Sequence, residues 1–345
     1  MYTTLIEPAE LAAPLSRIPA GDLDWAVLDC RHDLARPEWG ASAYAAGHIP
    51  GALYAHMDRD LSGPITPTSG RHPLPSVERL AETLGRWGID DRTQVVAYDQ
   101  GNGAYASRLW WLLRWLGHPN VAVLNGGFAA WQQAGLPIEV SQPEVTATTA
   151  TRDRAASEGI PSAGDRAASE EIPHRGTPRT FTPRPDSVPV VSTAELERLV
   201  AAGELNAGGA GERQAGGGAA RESATGPARA PTNGSVLVDA RAADRFAGEN
   251  ETIDPVAGHI PGARNHAFLR NVDARGRFLP ASELRERWGT TLGAASATQV
   301  IAMCGSGVTA CHNLLALEVA GLSGARLYAG SWSEWIRDRT RAVVR

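Results

Sequence analysis

The sequence predicts an α/β protein built from two tandem copies of one domain, each a mostly parallel sheet covered by helices on both faces. Two observations predict it. The heptapeptide Ala46-Gly47-His48-Ile49-Pro50-Gly51-Ala52 recurs unchanged as Ala257-Gly258-His259-Ile260-Pro261-Gly262-Ala263. Around both copies, short β-branched runs alternate with longer amphipathic segments, the pattern of βαβ units. A period this long, present twice, indicates a duplicated domain rather than a solenoid, and 345 residues are enough for two cores.

The elements follow in matching order. Val27-Leu28-Asp29 ends a buried strand 19 residues before His48, and Val236 to Asp239 ends one 20 residues before His259. After each heptapeptide comes a second apolar strand, Gln94 to Asp99 and Gln299 to Cys304, then a glycine-bearing turn and a helical stretch. A third strand follows in each half, Val121 to Leu124 and Arg326 to Tyr328. These lead into Gly126-Gly127-Phe128-Ala129-Ala130-Trp131 and Gly330-Ser331-Trp332-Ser333-Glu334-Trp335. The expected organisation is a first domain over residues 1–140, a flexible Pro/Thr/Ser-rich linker over 141–185 and a second domain over 186–345. Within the second domain, a Gly/Ala-rich insertion over 203–234 has too little apolar content to repay its ordering entropy.

Composition narrows the function. A formal charge of -5 and a pI near 6.0 give no reason to expect a nucleic-acid partner or an anionic membrane. The longest apolar stretch, Leu109 to Leu116, is interrupted by Arg114, so no membrane span is expected. The first 17 residues lack a basic segment followed by an apolar one, and the expectation is a cytoplasmic protein. Three cysteines without a C-x-x-C pair suggest neither a disulfide framework nor a zinc site; no metal and no cofactor are expected.

A reactive thiol remains. Val300 to Ala310 reads as a strand, a tight loop and a helix start, with Cys304 at the strand end and Gly305-Ser306-Gly307 after it. Glycines allow the loop to turn its N–H groups inward, and the helix N-terminus adds positive potential. Both favour a thiolate or a persulfide anion on Cys304. Cys311 reads as a core residue that oxidation could pair with Cys304, and Cys30 has no assigned role. The tryptophans at 110, 111, 332 and 335 read as core and cleft-wall residues. Because His48 and His259 occur in both halves, a structural role in the turn before Ile-Pro-Gly fits them better than catalysis.

Cys304-Gly305-Ser306-Gly307-Val308-Thr309-Ala310 resembles the active-site loop of the mercaptopyruvate sulfurtransferases of the rhodanese superfamily. The Gly-His-Ile-Pro-Gly-Ala motif, Asp239-Ala240-Arg241 and the Gly-Ser-Trp-Ser-Glu-Trp close are similar to the same family. The resemblance implies two rhodanese domains, with a catalytic centre in the second facing the interdomain cleft. It implies transfer of sulfur from a small anionic donor through a Cys304 persulfide to a thiol, a thioredoxin-like protein or cyanide. Catalytic roles fall on Cys304 and Ser306, and donor binding on Arg245 and the loop residues Gly305, Gly307, Val308 and Thr309. The same resemblance implies that Asp58 and His72 of the first domain would complete a Ser-His-Asp relay across the cleft. The first domain has Asp99 at the cysteine position; a carboxylate cannot carry a persulfide, so this half is expected to be silent, with Asp99 bracing its loop.

Family members that use mercaptopyruvate often carry a second arginine nine residues after the one matched by Arg245. Here that residue is Asp254. Thiosulfate-using members carry basic side chains in the two positions after the cysteine, where this chain has the uncharged Gly305 and Ser306. The first departure weakens the anion clamp expected for mercaptopyruvate, and the second favours that donor over thiosulfate. Two rivals complete the field. The small phosphatases that share this loop architecture need an arginine six residues after the cysteine, and position 310 is alanine. A non-catalytic interaction module would leave Cys304 unmodified by any donor.

Overall fold

The computed structural model describes residues 1–16, 24–141, 177–185, 187–206 and 234–345. The first domain contains β1 (Leu5–Ile6), α1 (Pro8–Leu15), β2 (Trp25–Asp29), α2 (Trp39–Ala46), β3 (Leu53–Tyr54), α3 (Val77–Arg86), β4 (Gln94–Tyr98), α4 (Ala106–Trp115), β5 (Val121–Leu124) and α5 (Gly127–Gln133). The second contains α6 (Thr193–Ala201), β6 (Val236–Asp239), α7 (Ala243–Ala247), β7 (Arg264–Asn265), α8 (Ala281–Leu292), β8 (Val300–Met303), α9 (Thr309–Val319), β9 (Arg326–Leu327) and α10 (Ser331–Trp335), with short 3-10 turns at Phe268–Asn271 and Ala297–Gln299.

Both sheets are parallel. The first has the strand order β1-β5-β4-β2-β3 and the second β7-β6-β8-β9. A parallel bridge from Val190 to Leu327 stands where β1 pairs with β5, so the two orders are the same. The central strands are buried from end to end, which is why they read as continuous apolar runs. In the first domain, α3 and α4 cover one face and α1 and α5 the other.

The repeated motifs fold alike. Arg31 grips Asp29 and donates to the Gly47 carbonyl at 2.7 Å; Arg241 grips Asp239 and donates to the Gly258 carbonyl at 2.8 Å. His48 stacks on Tyr44 and His259 on Phe246, each pair at 3.9 Å, with the Nδ1 of each histidine bonded to the backbone carbonyl of the stacked residue. Both repeat histidines are thereby tied into the framework, as their presence in both halves suggests. The four singled-out tryptophans are buried core residues.

The domains meet along α4 and α9, whose apolar side chains belong to one core cluster shared by both halves. This explains why α4 and α9 bury nearly every residue they carry. The segment expected as the end of a flexible linker is different at 177–185. There Phe181 is buried against His118, and the Arg179 and Arg184 amides bond the Gly85 and Leu116 carbonyls. A buried aromatic, these backbone bonds and side-chain bonds from Arg179 to Asp24 and Asp90 and from Arg184 to the Gly117 carbonyl hold this stretch on the first domain, which a composition average over the linker hides. The Gly/Ala-rich insertion lies outside the described residues from 207 to 233. Among the described residues, no helix is long and apolar enough to cross a membrane.

Candidate active site

The nucleophile loop begins where β8 ends. Cys304 is only 2% exposed, and its Sγ accepts a hydrogen bond from the Gly307 amide at 3.2 Å. Gly307 has φ +80°, and a Cβ there would lie 2.3 Å from the Ala329 carbonyl oxygen, so no other residue fits. Among the described residues, the amides of Gly305, Ser306 and Val308 have no hydrogen-bond partner. The loop is thus a nest of N–H groups at the head of α9, suited to a negative sulfur. Val308 caps α9 and is buried, while Thr309 begins the helix and is partly exposed.

A second turn supports this loop. The Ser331 hydroxyl accepts from the Cys304 amide at 3.1 Å and donates to the Tyr328 carbonyl at 3.0 Å. The Cys304 and Gly305 carbonyls accept from the Trp332 and Ser333 amides. Ser331 has φ +54°, the left-handed region that favours glycine, and its two hydrogen bonds offset that strain. The sequence shows Ser331 only as part of the Gly-Ser-Trp close; nothing in the string singles it out as a support for Cys304.

The first domain contributes the segment 58–72. The His72 Nδ1 lies 2.7 Å from the Ser306 Oγ, and its Nε2 lies 3.1 Å from an Asp58 carboxylate oxygen. The structure therefore brings Ser306, His72 and Asp58 together in the expected order. Burial pushes the His72 imidazole below its ordinary range, against the raising effect of Asp58, with Arg108 and Arg71 adding to the fall. The hydrogen bond from His72 holds the Asp58 carboxyl below its ordinary range. A neutral imidazole can donate from Nε2 to Asp58 and accept from the Ser306 hydroxyl at Nδ1. His32, Asp58 and His72 form the one group among the described residues whose potential metal-ligand atoms lie within 4.8 Å of one another. Both His72 nitrogens already have partners in Ser306 and Asp58. The arrangement is that of a hydrogen-bonded relay.

Above the loop lie two guanidinium groups. Arg245 on α7 directs Nε and Nη2 at Glu251 and reaches Asp254 through Nη2 at 3.1 Å. Arg71 of the first domain pairs with the other side of Asp254. A Cβ placed on Gly305 would lie 3.2 Å from the Arg71 Nη2 and 3.9 Å from the Arg245 Nη1, so both cations face the cysteine loop. Asp254 anchors an arginine supplied by the other domain as well as Arg245 of its own. Sequence reasoning missed Arg71 because its partner is 183 residues away; its position beside His72 was the only local signal.

A Rhodanese-like domain profile matches residues 8–134 and 227–338. The chain belongs to the rhodanese family. It is 40% identical over 342 residues to a Pseudomonas aeruginosa protein named "Probable 3-mercaptopyruvate sulfurtransferase", covering 99% of this chain and 97% of that one. It is 28% identical over 346 residues to the thiosulfate sulfurtransferase of Rattus norvegicus, covering 98% and 93% of the two chains. Among solved structures, the 3-mercaptopyruvate sulfurtransferase of Leishmania major superposes with a TM-score of 0.69 at 28% identity, covering 96% of this chain and 74% of that one. This chain is a two-domain sulfurtransferase of the rhodanese family.

Proposed function

We propose that the protein moves a sulfur atom from 3-mercaptopyruvate to a thiophilic acceptor through a persulfide on Cys304. The observation that carries this reading is the 2.7 Å contact between Ser306 and His72, with Asp58 behind it. In the first step the Cys304 thiolate attacks the donor sulfur. The new S–S bond forms as the donor C–S bond breaks, and the electron pair leaves with the carbon fragment as pyruvate enolate. A proton must reach that carbon, and one is released from the donor thiol. Ser306 is placed to deliver it and the neutral His72 to return it to the serine. Thiosulfate would release sulfite, a stable anion that needs no proton, so the relay would be idle with that donor.

Arg71 and Arg245 are the groups on the page suited to the donor carboxylate, since planar guanidinium forks match it. Their charges are largely balanced by Glu251 and Asp254. A nearly neutral clamp attracts a dianion such as thiosulfate little more than the mercaptopyruvate monoanion. The uncharged Gly305-Ser306 pair works in the same direction, and the similarity to the P. aeruginosa protein supports it. In the second step the outer persulfide sulfur passes to cyanide, giving thiocyanate and the free thiolate, or to a thiol or thioredoxin-like protein. Three free cysteines fit the reducing cytoplasm we infer for it.

The test is thiocyanate formation from cyanide with each donor in parallel, using Cys304→Ser as control. A higher kcat/KM with mercaptopyruvate is expected. A higher kcat/KM with thiosulfate would overturn the donor assignment, and no Cys304-dependent turnover with either would favour an interaction module.

A further inference from the structure

Arg108 sits on α4 of the silent domain and is fully buried. Among the described residues it has no carboxylate within ion-pair distance, whereas the other two buried arginines, Arg31 and Arg241, each have one. Its Nη1 donates to the Gly307 carbonyl at 3.1 Å, and its Nη2 donates to the His72 carbonyl at 3.2 Å and to the Pro73 carbonyl at 3.5 Å. Its Nε has no partner. A guanidinium keeps its charge at any working pH, and a buried charge with only neutral acceptors is costly. Something nearby should be negative during the reaction cycle.

The two thiols near it differ. Cys311 donates to the same Gly307 carbonyl at 3.3 Å, and burial pushes its thiol up to about 12, so it stays neutral. Cys304 lies on the other side of Gly307, its Sγ on the Gly307 amide. The loop that carries that sulfur is faced by Arg108 from α4 and Cys311 on α9 at the Gly307 carbonyl, by Arg71 and Arg245 (with Asp254 and Glu251 behind them) at Gly305, and by His72 at the Ser306 hydroxyl. Of the two thiols, Cys311 acts on Arg108 more strongly than Cys304. Arg71 and Arg245 are engaged by those carboxylates; Arg108 is not.

We infer that Arg108 is a positioning residue with two tasks: its charge balances the anionic sulfur on Cys304, and its fork ties the cysteine loop to the loop segment that carries His72. The thiolate, or the persulfide that replaces it, supplies the missing negative charge. The fork fixes His72 relative to Ser306, because the same guanidinium holds the carbonyls of His72 and Gly307. A residue of the silent domain thereby conditions the nucleophile of the other, which gives the inactive half a chemical role. This rests on the sulfurtransferase reading only for the His72 part.

Two variants separate the tasks: Arg108→Gln removes the charge, and Arg108→Lys keeps it but loses the fork. The readouts are the rate of Cys304 alkylation by iodoacetamide at pH 7, located by peptide mass spectrometry, and kcat and KM with mercaptopyruvate. Thermal unfolding checks that each variant is folded. Arg108→Gln is expected to lower the alkylation rate about tenfold, as the thiolate loses its cation. Arg108→Lys is expected to keep that rate within about threefold while kcat falls about tenfold and KM changes little. If Arg108→Gln does not fold, the split between alkylation and kcat in Arg108→Lys carries the test. Unchanged alkylation in a folded Arg108→Gln would overturn the charge role. Arg108→Lys with kcat unchanged, or with kcat and alkylation falling together, would overturn the fork role. Because alkylation needs no donor, an alkylation response without turnover of any donor would instead count against the proposed function.

Discussion

The two halves of the molecule build the same loop and fill it differently. In the first domain the strand β4 leads into Asp99, whose carboxylate accepts the amides of Gly101, Gly103, Tyr105 and Ala106 at 2.9 to 3.2 Å. In the second, β8 leads into Cys304, whose sulfur accepts only the Gly307 amide and leaves others unpaired among the described residues. The Asp99 side chain is supplied by the chain itself and already fills the first nest. On the proposed mechanism the second nest is left for an anion that forms and disappears: thiolate, then persulfide. The supporting turns differ too. Gly127 has φ +57° in the first domain, and Ser331 has φ +54° in the second, where its hydroxyl braces the Cys304 amide. The comparison teaches that the duplicated fold provides an anion cradle in both halves, and that one residue decides whether the cradle is structural or chemical.

Several substitutions could break that comparison. The largest expected effect is that of Cys304→Ser, which should lower sulfur transfer on the order of 10³-fold or more, because serine cannot hold a persulfide. Thiocyanate release would measure this, with little change in thermal stability. Next, His72→Gln should lower kcat with mercaptopyruvate about 10²-fold and affect thiosulfate turnover much less, if any is present. In the unaltered enzyme, kcat with mercaptopyruvate should fall as the pH drops below the ordinary histidine value of 6.5. Burial lowers the His72 value, so the neutral imidazole persists through 6.5 and is lost only at more acidic pH, while its share of stability declines from 6.5, the unfolded-state value, down to that lowered value. A flat pH profile would remove His72 from the relay.

Asp99→Ala should act on stability. It leaves four loop amides without their acceptor, at a cost of about 3 kcal/mol, readable in a denaturant titration. Catalysis in the part that remains folded should be unaffected. Smallest is the Ser331 pair: Ser331→Ala should cost about 2 kcal/mol and Ser331→Gly about 1 kcal/mol, since glycine relieves the backbone strain that alanine keeps. The reverse order would show that the left-handed conformation at Ser331 is not what its hydroxyl offsets.

Much of this was legible in the sequence because it is written locally. The repeated Ala-Gly-His-Ile-Pro-Gly-Ala gave the duplication, and the apolar runs before Asp99 and Cys304 gave the parallel strands. Cys304 stood out as a thiol between a strand and a Gly-x-Gly turn, while Ser306, His72 and Asp58 came through resemblance. What was hidden depends on contacts between distant segments. Arg71 meets Asp254, and Arg108 meets Gly307, across 183 and 199 residues. Neither arginine differs from a surface arginine as a letter in the string. Residues 177–185 read as linker because average composition outweighs Phe181, and Ser331 passes unnoticed because its backbone angle is invisible in sequence.

The central claim is that the second loop, and not the first, carries the sulfur on its cysteine. The direct test is mass spectrometry of the intact protein and of its peptides after incubation with mercaptopyruvate and no acceptor. The account predicts one added sulfur atom per chain, located on Cys304, lost on addition of cyanide and absent from Cys304→Ser. Sulfur on Cys30 or Cys311, or no added sulfur while thiocyanate still forms, would contradict it.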